Sequence, residues 1–141
     1  MDKLAKLSHD MVLLWGKYRP MYWSGIANTL SLALIATVIG CVIGLVCGVL
    51  NTIPYTKNDP LPKRIFLRLL RIVIRVYVEV FRGTPMVLQS VFIYYGLPYF
   101  SGNTLRFDNI WAAAILIVSI NTGAYMAESV RGGIISIDPG Q

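Results

Sequence analysis

The sequence predicts an all-α integral membrane protein with three transmembrane helices. Of its 141 residues, 55% are hydrophobic and only 14% are charged, whereas soluble proteins average about 25% charged residues. Residues 24–50 carry no charge, and a helix of that length can cross a hydrocarbon core about 30 Å thick with some tilt. Two further uncharged runs follow Gly83 and Asn109. We therefore place spans near residues 24–50, 69–98 and 109–130.

Residues 1–21 are expected to form a separate interfacial segment ahead of the first span. Apolar side chains recur there at helical spacing, which is typical of a helix lying in the headgroup region. Tyr18, Tyr22 and Trp23 form the aromatic belt that commonly marks the membrane surface.

Small residues recur at intervals of four in the first span, at Ala36, Gly40, Gly44 and Gly48. Such a ridge allows close approach of another helix. The alternative is that glycine is simply common in membrane helices. Because four positions are in phase, we favour a helix-packing face, although the sequence does not identify its partner helix.

The second helix carries an arginine stripe, by which we mean the following five residues: Arg64, Arg68, Arg71, Arg75 and Arg82. At 100° per residue the five side chains fall within about 60° of one another. Glu79 lies one turn from two of them and is predicted to bridge Arg75 and Arg82. We expect the stripe to reach anionic lipid headgroups.

Helix boundaries can be predicted at three places. At the Gly83-Thr84-Pro85 break, Thr84 is expected to cap the next helix and Pro85 to occupy its first position. Asn109 is a plausible cap for the third span. Residues 132–133, both glycine, are predicted to end that helix.

The distribution of basic residues predicts the orientation in the membrane. Residues 51–82 contain seven Lys or Arg, whereas residues 101–108 contain one, which Asp108 balances. By the positive-inside rule the 51–68 loop is cytoplasmic, so the N-terminus lies outside and the C-terminus inside. The four basic residues within positions 1–21 argue weakly in the opposite direction.

Asn121, Tyr125 and Glu128 fall on one face of the third predicted helix, within about 60°. One interpretation is a polar seam that lines a substrate route, because ionisable groups within spans usually face a bundle interior or an aqueous path. The other is structural: Glu128 lies near the helix end and pairs with Arg131.

Several classes of function have no support in the sequence. The single histidine, His9, lies in the interfacial segment, and no catalytic constellation, metal site or phosphate-binding glycine loop is present. We therefore predict neither an enzyme nor a bound cofactor. Cys41 and Cys47 are expected to be unpaired packing residues. The basic residues lack interleaved aromatics, so no nucleic-acid partner is predicted.

The chain resembles the permease subunits of ABC importers for polar amino acids, the histidine/glutamine/glutamate/arginine class. The matching residues are Gly25 with Thr29-Leu30-Ser31, Arg82-Gly83-Thr84-Pro85 with Gln89, Tyr95-Gly96-Leu97-Pro98, Ala124-Tyr125, Glu128, Arg131-Gly132-Gly133-Ile134 and Pro139-Gly140-Gln141. Any one of these motifs is weak, but their order over most of the chain is specific. Residues 121–123, Asn-Thr-Gly, are more polar than the family pattern.

The resemblance implies the N-terminal part of a five-helix permease fold in the bacterial plasma membrane. It implies translocation of a polar amino acid such as glutamine, glutamate or histidine. The implied partners are a cytoplasmic subunit that binds the ATP, a second permease subunit of the same or a related kind, and an extracytoplasmic amino-acid-binding protein. The cytoplasmic ATPase is then the alternative contact for the arginine stripe.

Family members continue beyond the position matched by Gln141 into a coupling segment and two further spans. We therefore expect this chain to be a fragment or a truncated product. The alternative function is a three-span membrane scaffold or assembly partner that has no transport activity of its own.

Overall fold

The computed structural model describes residues 2–54, 56 and 59–137. Within that part the regular structure is helical and no strand occurs, so the all-α prediction is confirmed there. Motif residues 139–141 lie outside the described residues. The helices are α1 (Asp2–Thr52), α2 (Leu61–Gly83), α3 (Met86–Val91), a π-helical turn (Phe92–Gly96), α4 (Leu97–Phe100) and α5 (Ile110–Ile135).

The chain divides into two compact units, residues 1–33 and residues 34–141. In the first unit, α1 already begins at Asp2, so the expected separate interfacial helix is continuous with the residues that follow. The rings of Trp15 and Tyr22 stack there at 5.8 Å, and the ammonium group of Lys17 lies 5.5 Å from the ring centre of Tyr18.

In the second unit, α1 and α5 pack side by side through glycine. A Cβ atom added to Gly40 would lie 2.7 Å from the Cβ of Thr122, and one added to Gly44 would lie 2.4 Å from the Cβ of Met126. Gly48 continues the series against Val130. Partners advance in the same direction along both helices, so α1 and α5 are parallel. The predicted ridge therefore faces α5.

The segment from α2 to α4 runs antiparallel to α5. Going down the chain from Arg75 to Tyr94, its neighbours on α5 move from Arg131 towards Ile110. The segment that connects the parallel helices α1 and α5 thus runs in the opposite direction to both. Buried residues of these helices include Leu67 and Ile74 on α2, Ile93 in the π-helical turn, and the small residues Ala113, Ala124 and Ala127 on α5.

A two-residue extended link separates α2 from α3. Thr84 has φ −118° and ψ 147°, and Pro85 has φ −61° and ψ 132°. The prediction that Thr84 caps α3 is wrong, because its hydroxyl donates back to the carbonyl of Val80 at 2.8 Å. Pro85 occupies the cap position, without a side-chain hydrogen bond. Since proline has no N–H, it cannot add to the unsatisfied donors of the first turn.

Of the two predicted ends of α5, only the N-terminal one is confirmed. Asn109 caps the helix by accepting a 2.8 Å hydrogen bond from the backbone N–H of Trp111, as predicted. The predicted stop at residues 132–133 is wrong, because α5 continues to Ile135. Both glycines keep helical geometry, and added Cβ atoms there would meet no neighbour within 4 Å.

The connection between α1 and α2 is partly ordered by Asp59. Its carboxylate accepts hydrogen bonds from the ammonium group of Lys63 at 2.8 Å and from the backbone N–H of Thr56 at 2.9 Å. These contacts, chiefly the one with Lys63, lower the pKa of Asp59. Pro60 precedes α2, and Pro62 lies in its first turn, where proline is well tolerated.

Among the residues that the structure describes, two helices are long and apolar enough to cross a membrane, Lys6–Thr52 and Ile110–Ile135. The segment between them, α2 to α4, does not qualify by itself. Its individual helices are 23, 6 and 4 residues long, and the longest carries the arginine stripe.

Candidate functional site

Gln89 lies at the centre of a polar clamp, which we define as the hydrogen bonds among Phe81, Thr84, Gln89 and Asn121. Its Nε2 atom, which carries two N–H groups, lies within hydrogen-bond distance of three acceptors: the carbonyl of Phe81 at 3.0 Å, the carbonyl of Thr84 at 2.9 Å and the hydroxyl of Thr84 at 2.8 Å. Its Oε1 atom accepts from Nδ2 of Asn121 at 3.1 Å. Asn121 also donates to the carbonyl of Phe81, at 3.2 Å.

The break in the helix explains why a buried amide is needed at this position. A helix end leaves its last carbonyls without intrahelical donors, and Phe81 lies in the last turn of α2. Unpaired polar groups are costly away from water. Gln89 is only 7% exposed, and its amide supplies donors to the break while its oxygen is bonded to α5. The clamp therefore fixes both the break and its distance from α5.

A charged cleft of about 530 Å³ opens between the C-terminal parts of α1, α2 and α5. We use the name charged cleft for the space lined by the following residues: Asn51, Arg75, Val78, Glu79, Arg82, Gly83, Ala127, Glu128 and Arg131. The lining brings three guanidinium groups together with two carboxylates.

Two arginines from different helices hold Glu128. Its carboxylate accepts from Nη2 of Arg131 at 3.2 Å and from Nε at 3.4 Å. Nη1 of Arg82, on α2, lies 3.9 Å from the same carboxylate. The guanidinium of Arg82 also lies 5.5 Å from the ring centre of Tyr125, within cation–π range. Both ion pairs are about 40% exposed, so each contributes little to stability.

The three residues of the predicted polar seam therefore occupy two different environments. Asn121 belongs to the polar clamp, where both of its donated bonds go to protein atoms. Tyr125, 51% exposed, and Glu128 lie with Arg82 at the charged cleft. They share a helix face, as the spacing indicated, but the structure assigns Asn121 a packing contact.

The five residues of the arginine stripe also lie in different environments. Arg71 donates to the carbonyl of Ile53, just beyond the end of α1, where a cation offsets the negative end of the helix dipole. Arg75 and Arg82 line the charged cleft. Arg64 and Arg68 lie together nearer the start of α2. The expectation that the whole stripe faces lipid is wrong for the residues turned towards α1 and α5.

The predicted bridge by Glu79 is absent from the described part of the chain. Arg82 pairs with Glu128 on α5 instead, and Glu79 has no ion pair among the described residues. The helical spacing allowed the bridge, but a carboxylate on another helix competes for the same guanidinium. Cys41 and Cys47 are free thiols, as predicted.

One contact at the centre of the unit was not predicted from the sequence. The hydroxyl of Tyr77 donates to the carbonyl of Ile120 at 2.6 Å. A Cβ atom added to Gly123 would lie 2.8 Å from that hydroxyl and 3.0 Å from Cγ2 of Ile43. Gly123 therefore makes room where α1, α2 and α5 meet. The polar sequence of residues 121–123 was the only available signal.

Comparison with known proteins gives one consistent result. The arginine transport system permease protein ArtQ of Bacillus subtilis is 34% identical over 122 residues, which are 86% of this chain and 49% of that protein. The glutamine transport system permease protein GlnP of Escherichia coli is 36% identical over 135 residues, 95% of this chain and 54% of that protein. The homologues are permease subunits of amino-acid transporters. No family model matches the chain.

A solved structure agrees with these sequence matches. The crystal structure of an amino acid ABC transporter with histidines superposes with a TM-score of 0.71 at 32% identity, covering 91% of this chain and 52% of that one. The resemblance inferred from the sequence motifs is confirmed. The chain spans about half the length of the relatives it matches.

Proposed function

We propose that the chain forms the N-terminal part of a permease subunit that carries a polar amino acid, such as glutamine, glutamate or histidine, across the bacterial plasma membrane. The observation that supports this most strongly is that the matches to named amino-acid permeases cover 86% and 95% of the chain. The helix break, the polar clamp and the charged cleft all lie within residues 51–131.

For the membrane arrangement we propose three crossings, with the second built from the end of α2 together with α3 and α4. The parallel packing of α1 and α5 supports this, because two consecutive long helices that run in the same direction require a returning segment between them. With residues 51–68 on the cytoplasmic side, the charged cleft lies towards the cytoplasm, since Asn51 is next to the end of α1.

The proposed partners follow from the relatives. They are a cytoplasmic subunit that binds the ATP, a second permease subunit and an extracytoplasmic amino-acid-binding protein. The permease itself holds no cofactor in this proposal. Anionic lipid is assigned to Arg64 and Arg68 only, because the other three stripe arginines contact or line protein surfaces.

The test is uptake by the full-length permease, purified with its ATPase and second permease subunit and reconstituted into vesicles. With the binding protein outside and ATP inside, labelled glutamine or glutamate should accumulate against its gradient. Vesicles with ADP in place of ATP are the control. A complex that assembles but transports no amino acid would favour the scaffold alternative.

A further inference from the structure

The first half of α1 carries an apolar seam that no other described part of the chain covers. We use the name N-terminal seam for the following six residues: Leu4, Leu7, Met11, Leu14, Tyr18 and Met21. Their side chains are between 38% and 75% exposed, and all six lie within the first compact unit. Contiguous exposed apolar surface commonly marks an interaction site, so the seam is a candidate contact surface.

The spacing within the seam is that of a coiled coil. The steps between successive members are 3, 4, 3, 4 and 3, so they occupy the a and d positions of three heptads. On a straight helix each heptad is rotated by about 20° relative to the one before it, and a left-handed supercoil removes that rotation. A strict a/d seam is narrower than the apolar face of most surface helices and fits a single helical partner.

One edge of the seam is charged, and the other is mainly aromatic. The g positions carry Lys3, Asp10 and Lys17, with signs that alternate along the helix. At the e positions, the rings of Trp15 and Tyr22 stack at 5.8 Å. Charges at the edge positions of a coiled coil determine its partner and its orientation. The alternating charges therefore select how a second helix is aligned on the seam.

We propose that the N-terminal seam pairs with the same seam of a second copy of the chain, as an antiparallel two-helix coiled coil. The two-fold axis of such a pair makes every contact occur twice. Its core layers join Met11 of one copy to Leu14 of the other, and Leu7 of one copy to Tyr18 of the other. This pairing goes beyond the proposed transport function and does not depend on which solute is carried.

The charged edge supports this alignment over the alternatives. In it, Asp10 of each copy lies about 3 Å along the axis from Lys17 of the other, which gives two ion pairs. A shift by one heptad in either direction would bring Asp10 beside Asp10 or Lys17 beside Lys17. A parallel pair would place all g charges beside uncharged e residues. A membrane surface, the other possible cover, requires an apolar face but neither the heptad spacing nor the alternation of charge.

The experiment is oxidative cross-linking of the full-length permease in membranes, in a background from which all cysteines have been removed. The double variant Leu7→Cys/Tyr18→Cys should form disulfide-linked dimers with at least five times the yield of either single variant. In the antiparallel layers position 7 faces position 18, whereas equivalent positions of the two copies lie about 16 Å apart, too far for a disulfide. Within one chain the two positions are equally distant, so the link must join two copies.

A control pair on the opposite face separates pairing from chance collision. Val12 and Leu13 are exposed and lie at the centre of the same coil but outside its seam, so Val12→Cys/Leu13→Cys should give only the background yield. Dimers of either single variant, Leu7→Cys or Tyr18→Cys, would show a parallel pair and overturn the proposal. A background yield from the double variant would mean that the seam faces lipid, which also overturns it.

The charges are tested in the same double-cysteine background. Asp10→Lys brings like charges together and should lower the yield of dimers at least threefold. Combining it with Lys17→Asp exchanges the two charges, restores both ion pairs and should return the yield to within twofold of the starting protein. A yield that responds to neither change would reject the antiparallel alignment. Uptake by the reconstituted transporter is measured separately, so its absence rejects the proposed function and leaves the pairing to be decided by the cross-links.

Discussion

Asn121 of α5 donates a 3.1 Å hydrogen bond to the Oε1 atom of Gln89, which joins two residues separated by 32 positions in the sequence. The bond connects a helix to the first turns after a break in another helix. Without it, the Gln89 oxygen would be a buried acceptor without a partner. The position of the break relative to α5 is therefore controlled by amide groups as well as by apolar packing.

Replacing Gln89 tests the polar clamp. Gln89→Met keeps a similar length but removes every donor, so the Phe81 carbonyl keeps only Asn121 and the Thr84 carbonyl loses its side-chain donor. Each buried group left unsatisfied costs about 1–3 kcal/mol. We expect a lower melting temperature in detergent, while Ser90→Ala, which removes only a bond within the next helix, should be close to the wild type. Equal effects of the two substitutions would contradict the clamp.

The coupling of Gln89 to Asn121 is measured with a double-mutant cycle. Gln89→Met, Asn121→Ala and the double variant should be non-additive by about 0.5–3 kcal/mol, as is usual for residues in one hydrogen-bond network. The measurement is thermal or denaturant stability of the purified protein. Additive losses would mean that the two amides stabilise the fold independently.

The glycine ridge is tested with two equivalent substitutions in α1. Alanine favours a helix over glycine by about 1 kcal/mol, so Gly25→Ala should be neutral or slightly stabilising, since its Cβ meets nothing within 4 Å. Gly44→Ala would place a Cβ 2.4 Å from the Cβ of Met126. Overpacking of this kind typically costs about 1–3 kcal/mol. Similar stabilities of the two variants would show that α1 and α5 do not approach closely at Gly44.

The loss of stability caused by Gly123→Ala should be partly rescued by Tyr77→Phe. Gly123→Ala should destabilise the protein because its nearest neighbour would be the Tyr77 hydroxyl, at 2.8 Å. Tyr77→Phe removes that oxygen together with its bond to Ile120, at a cost of about 0.5–1.5 kcal/mol. We expect Gly123→Ala to be less harmful in the Tyr77→Phe background than in the wild type. An equal or larger loss in that background would place the clash at Ile43 instead.

The orientation is tested by labelling single cysteines from one side of the membrane. In a background without Cys41 and Cys47, Thr56→Cys and Asn103→Cys should react with an impermeant thiol reagent from opposite sides, because in the proposed three-span arrangement α2 to α4 returns the chain across the membrane. Asn103 should be reached from outside. Labelling of both positions from outside would contradict the three-span arrangement.

The helical class, the Asn109 cap and the break after Gly83 could be predicted because each depends on neighbours within a few residues. The polar clamp could not, since its bond from Asn121 to Phe81 spans 40 positions and needs the packing of α5 against the break. The errors have the same origin. Glu79 was assigned to the nearest arginines, but Arg82 pairs with Glu128 of another helix, and Thr84 was assigned to the helix after it, whereas its hydroxyl bonds the helix before it.

The three glycine contacts between α1 and α5 keep one constant offset along both helices. Sliding either helix by a single residue, about 1.5 Å, would move all three glycines away from their partners on α5 at once. Residues 34–52 and α5 are therefore expected to translate together as a rigid body. Any displacement of these two helices relative to the rest of the unit must then be taken up by α2 to α4, where the link at Thr84 and Pro85 can change only together with the hydrogen bonds of the polar clamp.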